Sequence, residues 1–424
     1  LGHPGLRAEA LLAFAGLDGE EPAAAQAARE EALAQAVAAG DRDLEATAQL
    51  RLLVAASERV DARAIDALLP VARAAIARPE VPPAIRLAFA DAEATALVRL
   101  AAHDQVPAAC ERLAALEPAP QPLATRCRCL EAAETMSKDA VAPCQAAVAA
   151  ARAAYGDHHP ALVDRLTTLA NALTRTGDTD RALAEDAEAL AIQQAAAGPD
   201  SVEVADVLSV SAARFIDAGR LADAKAALER ALAIRRRVDG ASPSRRQGHA
   251  EQKLGEVLVR LGKLDEGLAH ADRGMQILEA TIPADNPDLA KIYAVYGNIN
   301  LAAERWPVVD RAMHRCAEVT SRSLGDHHPL RAICLLGLAQ AELAEGHAAD
   351  AATDARVALD LATELKLNPI NLGAAEGSLG RALGESGDRA GARLHLDKAI
   401  AIFAAVGPGA ADNLDDARRQ RRRF

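Results

Sequence analysis

Six cysteines, two histidine pairs, one glycine-spaced lysine and an arginine-rich terminus are the groups in this 424-residue chain that could do chemistry. The cysteines are Cys110, Cys127, Cys129, Cys144, Cys316 and Cys334. Four thiols within 110–144 raise the question of zinc. No Cys-x-x-Cys pair is present, however, and Cys127 and Cys129, two apart on an expected helix, face different ways. A bridge from Cys144 to Cys127 or Cys129 stays open, because a helical hairpin could bring them together. The plainer reading is reduced thiols packed as small hydrophobes, which suits a cytoplasmic chain. His158/His159 and His327/His328 lie in two copies of Gly-Asp-His-His-Pro, too far apart to share an ion, and loop capping explains them better. Gly255–Lys263 (GEVLVRLGK) has the glycines and lysine of a phosphate loop, but the spacing is wrong and no Ser or Thr follows Lys263. Arg418, Arg419, Arg421, Arg422 and Arg423 follow Asp412, Asp415 and Asp416, a pattern expected of a solvated terminal helix whose basic end offsets its macrodipole. An acidic partner or nucleic acid is the alternative there. Kinase signatures, His-Glu-x-x-His and a Gly-x-Ser-x-Gly elbow are absent. The expectation is no enzyme, no metal and no cofactor.

The elements that would position these groups follow from composition. Hydrophobic residues make up 50% of the chain but aromatics only 2%, so burial must come from Ala, Leu and Val. Small side chains suit closely spaced helices and serve sheets poorly, which gives an all-α fold. A net charge of -12 argues against nucleic acid as the main partner. No apolar run approaches the roughly 20 residues of a membrane span, so no membrane partner is expected. No signal-peptide pattern is present either. Leu1 begins inside what reads as the start of a helix, so the chain is expected to be a piece of a longer protein with its upstream neighbour removed.

Ala205–Arg235 shows the unit. Leu208, Ala212 and Phe215 form one helical stripe, Leu221, Ala224, Leu228, Ala231 and Leu232 a second, and Gly219 lies where the chain must reverse. One such pair cannot bury its own apolar face and needs neighbours of its kind. They are present, with turns at Gly177, Gly219, Gly262, Glu304, Gly346 and Gly387, 42, 43, 42, 42 and 41 residues apart. Seven before each turn stand Ala170, Ala212, Gly255, Gly297, Ala339 and Gly380; twelve after stand Ala189, Ala231, Gly274, Cys316, Ala358 and Ala399. Five after, the residue is small in every unit except at Val309. Residues 1–155 are helical but irregular, with turn signals near Gly19, Val60, His103 and Ser137 that predict about four hairpins.

GRLADAKAALERALAI (219–234), GKLDEGLAH (262–270) and the Gly-Asp-His-His-Pro loops resemble tetratricopeptide repeats of the long kinesin-light-chain type. The fourth repeat departs, with ERWPVVDRAM (304–313) placing Trp306 in the slot of Leu221 and Leu264 as a packing residue. LRAEALL and residues 29–53 are similar to the repeat regions attached to serine/threonine protein kinases of myxobacterial type. The resemblance implies a right-handed superhelical solenoid of about ten hairpins. Residues 1–155 would be degenerate repeats, 156–405 six regular ones, and 406–424 a basic tail or capping helix. It further implies that the first helix of each repeat lines a groove for a peptide or protein. Six residues upstream of the turns this places Asn171, Glu256, Asn298, Gln340 and Arg381 in the groove, and ten upstream Thr167 and Gln252. Asn171 and Asn298 match an Asn that holds an extended peptide backbone through two hydrogen bonds. The basic pairs that clamp a C-terminal carboxylate in chaperone-binding repeats are not matched. Two functions stay open: docking or sensing within a larger cytoplasmic signalling protein, or a self-associating or autoinhibitory spacer. In the second, the contact would be with another copy or with the missing upstream domain.

Overall fold

Alanine-rich stripes at helical spacing, broken by glycine and proline, leave the backbone few choices but helix. The computed structural model describes residues 3–16, 22–59, 61–100, 102, 104–134, 138–240, 243–284 and 286–424, and among these no strand occurs. The helices run in consecutive pairs. They are α1 (Pro4–Phe14) with α2 (Pro22–Ala39), α3 (Arg42–Arg59) with α4 (Ala62–Ile76), α5 (Pro83–Arg99) with α6 (Val106–Leu116), and α7 (Pro122–Glu134) with α8 (Val141–Tyr155). Then follow α9 (Ala161–Arg175) with α10 (Thr179–Ala197), α11 (Val202–Asp217) with α12 (Leu221–Asp239), and α13 (Arg245–Arg260) with α14 (Leu264–Thr281). The last are α15 (Asp288–Ala302) with α16 (Trp306–Ser323), α17 (Pro329–Glu345) with α18 (Ala348–Glu364), α19 (Pro369–Glu385) with α20 (Arg389–Val406), and a terminal α21 (Ala411–Arg423). The fold is an all-α repeat solenoid. Its contacts divide into two compact units, Leu1–Val207 and Leu208–Phe424.

All six regular turns fall where the sequence places them. Gly177, Gly219, Gly262, Gly346 and Gly387 take φ of 85°, 70°, 78°, 87° and 96°, and Glu304 takes the same left-handed position at 55° without being glycine. The turns expected near Gly19, Val60, His103 and Ser137 lie outside the described residues.

Small residues at the three repeating registers set how closely the paired helices approach. In the first unit Ala170, Ala182 and Ala189 are fully buried, and in the second so are Ala212, Ala224 and Ala231. The α13–α14 pair uses glycine at all three registers. A Cβ on Gly255 would lie 2.8 Å from both Ala271 N and Gly267 O, and one on Gly274 2.7 Å from Gln252 N. The segment resembling a phosphate loop is thus a helical seam followed by a turn. Where the seam opens, Met313 fills it, its Cε lying within 2.6 Å of a Cβ built on Gly297 and 2.5 Å of one on Gly337. Trp306 packs against the same cluster as Met313 and Leu335, as expected.

The histidine loops repeat in structure as well as in sequence. His159 Nδ1 accepts the Ala161 amide and His328 Nδ1 the Leu330 amide, both at 3.1 Å, so the second histidine of each pair caps the next helix. The arginine-rich terminus forms α21, where Arg419 pairs with Asp416, Arg421 with Asp397 on α20 and Arg423 with Glu385 on α19.

The cysteines overturn the reduced-thiol reading. All six are bonded: Cys110 to Cys127, Cys129 to Cys144, and Cys316 to Cys334. The opposed directions of Cys127 and Cys129, which argue against zinc, are what let α7 bond to α6 on one side and α8 on the other. The argument for a cytoplasmic chain from reduced cysteines loses its footing.

Candidate docking surface

The first helices of successive hairpins keep one face buried in the seams and leave polar side chains on the other. In the second unit, α13 and α15 bring Glu256 and Asn298 to one cavity of about 270 Å³. Its apolar lining is Val259, Val295, Ile299 and Ala302, and Asn298 is exposed. Glu256 lies 3.6 Å from Arg260, one turn further along. An exposed amide beside aliphatic side chains suits a polypeptide, whose backbone needs hydrogen bonds and whose side chains need apolar contact.

Further along the same unit, Gln340 on α17 and Arg381 on α19 line a second cavity of about 160 Å³. Its opposite wall is α21, through Asn413, Asp416, Ala417 and Gln420. This part of the expected groove is therefore covered by the chain's own last helix. Gln252 corrects the expectation more sharply. It is buried, and its Nε2 donates to Ile292 O at 2.9 Å across the α13–α15 seam, so it holds two repeats together and faces no partner. In the first unit, Thr167 and Asn171 lie on α9; Asn171 is exposed, while Thr167 Oγ1 donates to Asp164 O at 3.0 Å.

The irregular N-terminal region holds a cavity that periodicity did not reveal. It spans α3, α5 and α7, encloses about 480 Å³, and has Leu50, Val54 and Ile85 on its floor with Arg51, Arg99 and Arg126 around it. Arg126 Nε donates to Asp164 at 2.8 Å, and its Nη1 lies 3.4 Å from Asp91 and from Thr95 Oγ1. Burial raises the Asp91 carboxyl, against the opposing pull of Arg126. The signal was an arginine on each of three successive first helices, lost in a region without regular spacing.

A second missed pattern is electrostatic. Glu93, Glu251 and Glu376 are buried carboxylates, and each meets a basic side chain 19 residues later on the paired helix: Arg112 at 2.8 Å, His270 at 2.6 Å and His395 at 2.6 Å. Glu93 also receives Arg73, and Glu251 receives Arg236 at 2.7 Å. Burial works to raise the Glu251 carboxyl, but the hydrogen bonds from His270 and Arg236 outweigh it and hold it below the ordinary range. For Glu251 and Glu376 the legible signal was an acid interrupting an apolar stripe eleven residues before Gly262 and Gly387. Among the described residues no cluster of His, Cys, Asp and Glu is arranged to hold a metal ion.

Helical hairpins stacked at a constant register, with exposed polar faces on their first helices, define a repeat protein of the helical-hairpin class. The tetratricopeptide-repeat family model matches residues 164–237. No curated protein matches the sequence. Among solved structures, the apo form of RapI aligns over 86% of this chain and 99% of its own at 11% identity, with a TM-score of 0.57. A Rap protein complexed with Competence and Sporulation Factor aligns over 89% and 99% at 11% identity, with a TM-score of 0.51. A putative kinesin light chain with nearly identical TPR-like repeats from Podosopora anserina covers 49% of this chain and 99% of its own at 18% identity, with a TM-score of 0.42. No helix among the described residues is long and apolar enough to cross a membrane.

Proposed function

We propose that the chain is a non-catalytic docking array that binds a peptide or protein along the exposed faces of its first helices. The repeats of 156–405 would supply these helices within a larger signalling protein. The observation that carries this reading is the Asn298–Glu256 cavity, with an exposed amide next to four aliphatic side chains. Each amide–backbone hydrogen bond there adds on the order of 1 kcal/mol. The similarity of residues 29–53 to kinase-attached repeats supports a serine/threonine kinase as the larger protein. A fold neighbour in complex with Competence and Sporulation Factor supports the use of such an array for capture. Affinity capture from the source cell tests it: Asn171→Ala with Asn298→Ala should reduce partner recovery several-fold at unchanged helicity. Equal recovery by the double variant contradicts it.

One observation favours a second reading, an autoinhibitory array. Helix α21 already covers Gln340 and Arg381. Truncation before Ala411 should then raise partner recovery, and unchanged or lower recovery removes this reading.

A further inference from the structure

We propose that this chain folds and operates in an oxidising compartment outside the reducing cytosol, its helices stitched by three disulfides. The pairing is complete, with no cysteine left over. The Cα–Cα separations of 5.6, 4.4 and 5.7 Å lie within the span a bridge tolerates. Every bridge crosses a seam between helices consecutive in the chain: α6 to α7, α7 to α8, and α16 to α17. Two residues of α7 on opposite faces thus tie three helices in series. The third bridge is independent evidence. Cys316 occupies a register that elsewhere holds only Ala or Gly, and Cys334 stands twelve before its turn, where the other repeats carry Arg165, Val207, Ala250, Ile292 and Ala375. Cys316 thus departs from a small-residue register, and the cysteine it meets across the seam is the only one at the variable Cys334 register.

All six cysteines are at most 3% exposed, so a dissolved reductant reaches a bridge only after the seam opens. Cytosolic glutathione and thioredoxin systems hold chain thiols reduced, and a full set of bridges is the pattern of exported proteins. The chemistry needs an external oxidant, a disulfide-bearing oxidoreductase. One chain thiolate attacks its S–S bond, forming a mixed disulfide and releasing one oxidant thiolate. The second chain thiolate displaces the other. Each bridge formed removes two electrons and two protons from the chain and leaves the oxidant as a dithiol. This assignment replaces the cytoplasmic expectation and is independent of any docking partner.

Acid-trapped thiol labelling in the source cell tests it on the whole chain. Cells are quenched in acid, free thiols are alkylated under denaturing conditions, and a second reagent is added after reduction. The chain should take no label before reduction and six labels after it, with peptides joined Cys110–Cys127, Cys129–Cys144 and Cys316–Cys334. Any cysteine labelled before reduction, or any other pairing, overturns the proposal. Protease added to cells whose cytoplasmic membrane is intact, but whose outer layers have been opened, should digest the chain. Protection until the membrane is broken overturns the compartment.

Discussion

Glu342 is buried on α17 with its Oε2 unpartnered, facing α18, which carries Asp350 and Asp354. Burial first, then Asp354 and Asp350, lift its carboxyl from 4.5 to about 7. A folded value above the unfolded one favours the fold while the group is protonated. That contribution is fully present below pH 4.5 and lost as the pH rises through about 7. Glu342→Gln should therefore raise Tm at pH 8 and leave it nearly unchanged at pH 4.5; equal Tm differences at both pH values would contradict the assignment. His328 works in the opposite sense. Its Nδ1 caps α17 only when unprotonated, and burial, with Lys291, lowers its pKa from 6.5. The cap is fully present above pH 6.5 and is lost as the pH falls through the lower folded value. His328→Ala should cost about 1 kcal/mol at pH 8, as other N-cap losses do, and less near pH 5, which urea titrations at the two pH values would measure. The cap was legible in the sequence because the loop recurs with its proline. Glu342 was not, because the charges around it come from α18 (Asp350, Asp354) and α16 (Asp310, His314), which meet it only once the helices pack.

Between paired helices, the spacing of small residues was readable, and the reason is steric: a repeated close approach forces a repeated small side chain. Glycines on these helices do not all serve that purpose, however. A Cβ on Gly274 would meet Gln252 N at 2.7 Å and Gly248 O at 2.8 Å, whereas one on Gly377 would meet only Ala399 Cβ at 3.8 Å. Gly274→Ala should cost about 1–3 kcal/mol by overpacking. Gly377→Ala should gain about 0.5–1 kcal/mol from helix propensity alone. Chemical denaturation of the two variants checks the opposite signs. The bridges belong to this scale as well. Closing about 15–18 residues, each removes about 3 kcal/mol of chain entropy from the unfolded state, so paired Cys316→Ser and Cys334→Ser should lower the denaturation midpoint of the second unit accordingly. Cys129–Cys144 is one of the two bridges the sequence left open; Cys110–Cys127 and Cys316–Cys334 were not foreseen, because periodicity tells which face of a helix a cysteine takes but not which helix lies opposite.

For the whole chain, period and composition were enough for an all-α repeat fold, since a two-helix unit that cannot bury its own face must stack. The groove residues were only partly legible. Counting from the turns placed Asn298 and Glu256 together, but the same count turned Gln252 outward when it bonds Ile292 across the seam. Nothing in the count foresaw that α21 would cover Gln340 and Arg381, because a terminal helix has no repeat to be counted from. The docking claim is tested most directly by a photo-crosslinking residue in place of Val295, at the mouth of the Asn298 cavity, with one in place of the exposed Leu394 on α20 as comparison. Irradiation in the source cell should give a discrete protein adduct at 295 and none at 394. Adducts at 394 alone, or at neither position, would contradict the claim that a polypeptide docks on the first helices.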